Sequence, residues 1–231
     1  MKKNRDKEGY FIIEGEKIGK ECMHNISEDI SLIGCLSSHT GLIPKNLLGK
    51  SFILSSKEFE RVSSLKTPNK LILVIKKPSI ILFNPDERFL ILENIQDPGN
   101  FGTIIRTADW FGIHQIVCSP KNADVFNSKT LQASMGSFLR IKVYYKELVP
   151  FLEQSNYKVA GAFLDGEPLE DFNLRNSNAI MLGNEGKGIS DQMEKFCNNP
   201  VKITGYGEAE SLNVSIAASI LIYEWTKKSK S

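Results

Sequence analysis

Gly183-Asn-Glu-Gly-Lys-Gly188 places three glycines within six residues, directly after the apolar run Ala179 to Leu182. Glycine tolerates positive φ and lets backbone N–H and C=O groups approach a ligand, a freedom that an ordinary turn does not need three times over. A buried strand ending in such a loop builds a site; the competing reading is a plain strand-to-helix turn. Two other stretches set polar side chains beside small residues: Asn94-Ile-Gln-Asp-Pro-Gly-Asn-Phe-Gly-Thr-Ile-Ile-Arg106, and Ile203 through Glu210-Ser-Leu-Asn-Val-Ser-Ile-Ala-Ala218. Spacing excludes two nucleotide chemistries. A P-loop requires a hydroxyl after its lysine to hold magnesium, and Lys187 is followed by Gly188. The dinucleotide fingerprint G-x-G-x-x-G, opening a helix, occurs nowhere in the chain.

The elements that must carry these loops follow from periodicity. Phe89 to Glu93 reads as a strand, Asn94 to Asn100 as the loop after it, and Gly102 to Phe111 as a helix stopped by Gly112. Ile104, Ala108 and Phe111 share one face of that helix, and Arg106 projects from another, outside the core stripe. Strands recur at Gln115 to Cys118, Leu139 to Tyr144, Lys158 to Phe163 and Ala179 to Leu182. Helices are expected near Ser128 to Ser134, Lys146 to Gln154 and Ser190 to Phe196. This alternation predicts an α/β fold with a largely parallel sheet and helices on both faces. The last helix, from about Asn213 to Lys228, has Val214, Ala217, Ala218, Leu221, Ile222 and Trp225 on one side and Ile216, Ile220 and Tyr223 on another. A subunit interface is expected to cover the second face.

Upstream, Phe11 to Ile13, Gly15 to His24, Ser31 to Leu36, Ser51 to Leu54, Lys57 to Leu65 and Leu71 to Ile75 alternate short apolar runs with polar helical ones, a small α/β unit. Lys17 and Lys20 offer its first helix a basic surface for RNA. Lys76-Lys-Pro-Ser79 and Asn84-Pro-Asp-Glu-Arg88 mark a linker between about 76 and 88, which divides the chain into 1–80 and 86–231. The 231 residues, 41% of them hydrophobic, suffice for a sizeable core. The net charge of +2 hides an asymmetry: residues 1–85 carry 14 Lys+Arg against 9 Asp+Glu, the remainder 15 against 18. A basic first third suits a polyanion and is also compatible with a solvated surface. No apolar run reaches the roughly 18 residues of a membrane span. Met1-Lys-Lys-Asn-Arg-Asp-Lys-Glu lacks the apolar core of a secretion signal, so a cytoplasmic protein is expected. Cys22, Cys35, Cys118 and Cys197, like His24, His39 and His114, show no metal-ligand spacing; buried reduced thiols and no metal are expected.

Together the three stretches resemble the SpoU-type (TrmH-type) branch of the SPOUT superfamily, S-adenosylmethionine-dependent RNA ribose 2′-O-methyltransferases. Asn94-x-x-Asp97-Pro98-x-Asn100-x-Gly102-x-x-x-Arg106 matches the first motif, Leu182-Gly-Asn-Glu-Gly-x-Gly188 the second, and Ile203 with Ser211-Leu-Asn-Val-Ser215 the third, in family order. The resemblance implies a trefoil-knotted SPOUT α/β-knot over 86–231. It also implies, ahead of this, a small domain like an RNA-binding ribosomal protein over 1–80. It further implies S-adenosylmethionine as cofactor, held by Leu182, Gly183, Asn184, Gly188, Ile203 and Leu212. The implied catalytic residues are Asn100, Arg106, Glu185, Ser211 and Asn213, in a homodimer whose site the partner's first motif completes. RNA is the implied substrate, ribosomal RNA ahead of transfer RNA. The alternatives are a transfer-RNA enzyme and a non-catalytic RNA-binding homologue, against which the intact site residues speak.

The residue types narrow those roles. A guanidinium is effectively never deprotonated, so Arg106 is assigned to the phosphate beside the target ribose and to developing alkoxide character, not to proton abstraction. Glu185 either fixes its loop by accepting backbone N–H groups or orders the partner's Arg106, and the fixing role is preferred. Ser211 and Asn213 suit helix capping, which is compatible with ligand binding. RNA affinity is expected to reside in the first unit and cofactor affinity in the second, with little crossover.

Overall fold

The computed structural model describes residues 5, 7–26, 28–63, 65, 67, 69–78 and 82–227. Two sheets carry the chain. In the first, β1 (Tyr10–Glu14), β4 (Leu71–Lys76), β2 (Ile30–Leu36) and β3 (Ser51–Leu54) lie side by side in that order, β4 antiparallel to both of its neighbours and β3 parallel to β2. Helix α1 (Glu16–Asn25) packs Gly19, Cys22 and Met23 onto the sheet, where Leu71 and Leu73 reach Gly19. Helix α2 (Ser56–Val62) begins at a capping box in which Ser55 and Glu58 satisfy each other's backbone N–H groups, and it buries Phe59.

The second sheet has six strands in the order β10 (Asn199–Lys202), β8 (Val159–Pro168), β9 (Ala179–Leu182), β5 (Phe89–Leu92), β6 (Gln115–Cys118) and β7 (Lys142–Tyr145), every pair parallel. Its three central strands β9, β5 and β6 are buried at every position, as strands covered on both faces must be. Alternate side chains divide between two cores. Leu90, Leu92, Ile116, Ile180 and Leu182 join α3 (Pro98–Trp110), α4 (Ser128–Ser134) and α7 (Val214–Thr226). Phe89, Ile91, Val117 and Met181 join α5 (Leu148–Glu153) and α6 (Asp191–Glu194) on the other face. Strand order reverses between β5 and β9, whose last residues, Leu92 and Leu182, pair directly. The two loops that follow are therefore neighbours at the carboxyl edge, where open α/β sheets place ligands.

Several boundaries differ from those expected, each for a local reason. Helix α3 begins at Pro98 instead of near Gly102, because Asp97 accepts the Asn100 N–H and Pro98 occupies the first helical position. Asn100 thus belongs to the first helical turn. Ser137–Leu139 forms a 3₁₀ turn, so β7 starts at Lys142 instead of Leu139. Strand β8 runs on to Pro168 through an irregularity opposite Pro200 and Val201, and edge strand β10 was not expected because Asn199-Pro200 reads as a turn. Ser79, in the expected linker, and Lys228, in the expected last helix, lie outside the described residues. Within that linker Asn84 is tied to the second sheet, its N–H and C=O paired with the Gln115 side chain at 2.8 and 2.9 Å.

Helix α7 buries Val214, Ser215, Ala218, Leu221, Ile222 and Trp225, while Ile216 and Tyr223 stay half exposed (50% and 52%) and Ile220 is partly covered by the core. Arg88 holds its C-terminal end, donating to the Trp225 and Arg175 carbonyls at 2.9 and 3.1 Å. Gly102 marks the crossing of α3 and α4, since a Cβ there would lie 2.6 Å from both Ala133 Cβ and Thr130 O. Gly102→Val is expected to lower stability by roughly 1–3 kcal/mol through overpacking, read from the denaturant midpoint. An unchanged midpoint would show that the crossing opens freely.

Candidate active site

Leu182 O accepts the Glu93 N–H at 2.9 Å, the last rung before the two loops diverge. The Gly183–Ile189 loop then doubles back on itself, with Asn184 and Gly188 exchanging both backbone hydrogen bonds at 2.9 Å. Gly188 has φ 69°, a conformation that costs other residues more. At Gly183 a Cβ would sit 2.1 Å from the Gly188 carbonyl carbon, so this position admits no side chain while the loop stays closed. Asn184 Oδ1 accepts the Gly186 and Lys187 N–H groups at 3.0 and 3.2 Å, and its Nδ2 donates to Asn94 O at 2.8 Å. Asn94 itself has φ 57° and rests against Ser119.

The Glu185 carboxylate crosses from this loop to the start of α3. It accepts the N–H groups of Gln96 (3.3 Å) and Asp97 (3.2 Å) and the amide of Asn100 (3.2 Å). An anion beside the first turn of a helix is also favoured by the unpaired N–H groups there. Asn100 continues the chain of contacts, its Oδ1 accepting from Asn213 Nδ2 at 3.0 Å. Asn213 caps α7 through Ser215 N at 2.9 Å. One line of side chains, Glu185–Asn100–Asn213, joins all three stretches that stand far apart in sequence.

Not every residue singled out in the sequence meets at this point. Arg106 lies less than two turns further along α3, about 120° around the helix from Asn100 and about 9 Å along its axis; its side chain is exposed and hydrogen-bonds to no described residue. Ser211 and Leu212 are exposed in the segment before α7, and Ile203 follows β10, partly buried. The backbone groups of buried Gly183, and those of Ile203 and Leu212, make no hydrogen bond to any described residue. Unpaired backbone groups at buried positions are rare and mark a place for a polar partner. Among the described residues no group of three or more His, Cys, Asp or Glu could hold a metal ion.

The sequence reading passed over Glu93 and Ser190. Glu93 is buried at the end of β5, and its two oxygens accept the Ser190 N–H at 2.8 Å and hydroxyl at 2.6 Å, which closes the far end of the glycine loop. A charged residue ending a wholly apolar strand was the available signal. Asn122, whose Oδ1 accepts the Ile95 N–H at 2.8 Å, gave no signal. Glu185→Ala is expected to accelerate amide exchange at Gln96 and Asp97 and to lower global stability by about 1 kcal/mol. Unchanged protection at both amides would mean that the loop is held without Glu185.

The model of the SpoU rRNA Methylase family matches residues 87–223. The chain is similar to the 23S rRNA (guanosine(2553)-2'-O)-methyltransferase RlmP of Bacillus subtilis (strain 168), 34% identical over 230 residues that cover 96% of this chain and 90% of that relative. Its fold matches the solved structure of a putative RNA methyltransferase of the TrmH family from Porphyromonas gingivalis, with TM-score 0.87, 34% identity and coverage of 97% and 92% of the two chains. It also matches the SpoU methyltransferase AviRb from Streptomyces viridochromogenes, at TM-score 0.82 and coverage of 98% and 92%, where 22% identity makes the likeness one of fold. A family match over more than half of the chain, and a relative similar along nearly its whole length, agree with three motif loops meeting at one edge of a parallel sheet: the chain belongs to the SpoU rRNA methylase family.

Proposed function

We propose that the protein transfers a methyl group from S-adenosylmethionine to a ribose 2′-hydroxyl of RNA, ribosomal RNA in preference to transfer RNA. The observation that carries this reading is the Glu185–Asn100–Asn213 line, which draws the three motif loops around the buried, unpaired backbone of Gly183. The preference for ribosomal RNA rests on the Bacillus relative, whose name specifies 23S rRNA and a 2′-O position. In this reading residues 1–80 hold the RNA, residues 86–231 hold the cofactor, and the enzyme works in the cytoplasm. Among the described residues no helix is long and apolar enough to cross a membrane.

The residues fit the cofactor's chemistry. Unpaired N–H and C=O groups at Gly183, Ile203 and Leu212 suit the polar edge of an adenine, and Leu182, Asn184 and Gly188 fix the loop that presents them. When bound, the sulfonium supplies an electrophilic methyl group. The protein's part is positioning. Asn100 and Asn213 fix the two helix starts that flank the site, Glu185 clamps the loop between them, and Ser211, exposed two residues before Asn213, is assigned to the substrate. Arg106 keeps its charge throughout, binds the phosphate next to the target ribose and favours alkoxide character on the 2′-oxygen. A trefoil-knotted path over 86–231 belongs to this reading with the family to which the chain belongs.

Because Arg106 faces away from its own chain's Glu185, the reading includes a homodimer in which one protomer's Arg106 serves the other's loops. The half-exposed Ile216 and Tyr223 of α7, with Trp110 at 81% exposure one turn beyond Arg106, supply an apolar surface for that contact. A homodimer is expected to persist at submicromolar concentration; sedimentation as a monomer there would remove the second protomer from the mechanism. Arg106→Ala is expected to abolish methyl transfer to total RNA from a strain lacking the protein. Its affinity for labelled S-adenosylmethionine in equilibrium dialysis should stay within about twofold of the parent's, since the arginine is assigned to RNA. Full transfer activity in that variant would overturn the assignment.

A further inference from the structure

The first sheet is seated on the second through a contact with an aromatic centre and a charged rim. The Phe11 ring of β1 lies 4.6 Å from that of Phe126 and 5.9 Å, edge-on, from that of Phe138. One continuous buried cluster runs from Phe11, Ile13 and Leu73 into Leu131, Phe138 and Phe101 of the second unit. At one side Arg5 pairs with Asp124 at 2.5 Å. At the other, Arg140 reaches in two directions: its Nε and Nη2 grip both oxygens of Asp109 at 2.8–3.0 Å, and its Nη1 donates to Glu21 of α1 at 2.6 Å. Gly136, at φ 92°, leaves room for the Glu21 carboxylate, which would stand 2.1 Å from a Cβ at that position.

These anchors bear on both ends of the Asn94–Arg106 stretch. Asp124 lies in the segment whose Ala123 N–H donates to Ile95 O at 2.8 Å and whose Asn122 holds the Ile95 N–H, directly behind the loop that Glu185 clamps. Asp109 lies in the last turn of α3, three residues beyond Arg106. A carboxylate at a helix C-terminus opposes the helix dipole, so its place there is explained by the cation beside it. Burial pushes the Asp109 carboxyl up, but hydrogen bonds from Arg140 and Ser137, together with the positive charge of Arg140 and His114 nearby, hold it below its ordinary value.

We propose that Arg140 is a positioning residue for methyl transfer: by bridging Glu21 of α1 to Asp109 of α3, it fixes the N-terminal unit at a set orientation to the helix that carries Asn100 and Arg106. RNA held by the N-terminal unit is then presented to the site by a rigid frame, not by a free tether. The inference rests on the methyl-transfer reading for its consequence and on the Arg140 geometry for its structure.

The test uses the full chain with Glu21→Gln, Arg140→Gln and the double variant, each first checked for cooperative melting. The substrate is total RNA from a strain lacking the protein. Glu21→Gln, which leaves the Arg140–Asp109 pair intact, is expected to lower kcat on the order of tenfold through misplacement, with KM for RNA and the dissociation constant of S-adenosylmethionine within about twofold. The double variant is expected to lose no more than Arg140→Gln alone, because residues acting through one contact are non-additive. Amide exchange at the end of α3, Phe111 and Gly112, is expected to quicken in Arg140→Gln and in the double variant, where Asp109 loses its cation. An unchanged kcat for Glu21→Gln, a rise in KM with kcat intact, or fully additive losses would each overturn the proposal. A parent protein that binds S-adenosylmethionine but methylates nothing would sink the methyl-transfer reading instead. Exchange at Phe111 and Gly112 would still decide whether the bridge holds α3.

Discussion

The carboxylate of Glu185 is the contact on which the site depends. It leaves a loop whose internal hydrogen bonds tie it only to itself, three of whose residues are glycine, and it finds its donors on the Gln96–Asn100 stretch of a different strand–helix connection. Two of those donors are backbone N–H groups ahead of α3, which have no partner in that helix and would otherwise need water. The interaction therefore satisfies the helix entry and closes the glycine loop at once. Asn100 passes the constraint on to Asn213, and with it to the start of α7. Three connections that are individually soft become one rigid edge because each uses another's unsatisfied groups.

Helix α3 is the element that all of this shares. Its first turn carries Asn100, its exposed side carries Arg106, and its last turn carries Asp109 in the grip of Arg140. Gly102 lets it cross α4 at a distance that no side chain would permit, so a residue whose motif position invites a ligand role acts first in packing. Thr107 and Ser219, 3.2 Å apart, set it against α7. Moving this one rod would disturb the glycine loop, the start of α7 and the seat of the N-terminal unit together, which is the physical sense in which the N-terminal unit's contacts near both of its ends matter.

The seating of the N-terminal unit also changes how its independence is understood. A charge difference and a proline-marked linker divided the chain into two units, with RNA affinity expected in the first and cofactor affinity in the second. One buried cluster is continuous between those units, and ionic contacts flank it at Asp124 and Arg140. Charge composition is blind to such a contact because its centre is Phe11, which in the sequence is only one more apolar residue of a short strand.

What the sequence determined by itself is local or repetitive: the wholly apolar runs of β5 and β9, the short apolar run of β6 after Gln115, the helix stop at Gly112, the two-sided apolar pattern of α7 and the three motif stretches in their order. Each is encoded in consecutive residues or in a short period, so neighbours along the chain suffice to read it. Tertiary structure decided the rest. That α3 starts at Pro98 depends on which N–H the Asp97 side chain accepts. That Glu93 closes the loop at Ser190, that Asn122 supports Ile95, and that Arg140 joins Glu21 to Asp109 depend on residues 27 to 119 positions apart being brought within hydrogen-bond range. That Arg106 points about 120° away from Asn100, the α3 side chain that meets Glu185 of its own chain, depends on the rotation per residue of one helix once its first turn is fixed. Pairings of that kind leave no periodic trace, because a polar side chain reads the same in sequence whether its partner is water, a backbone N–H or a carboxylate across the fold.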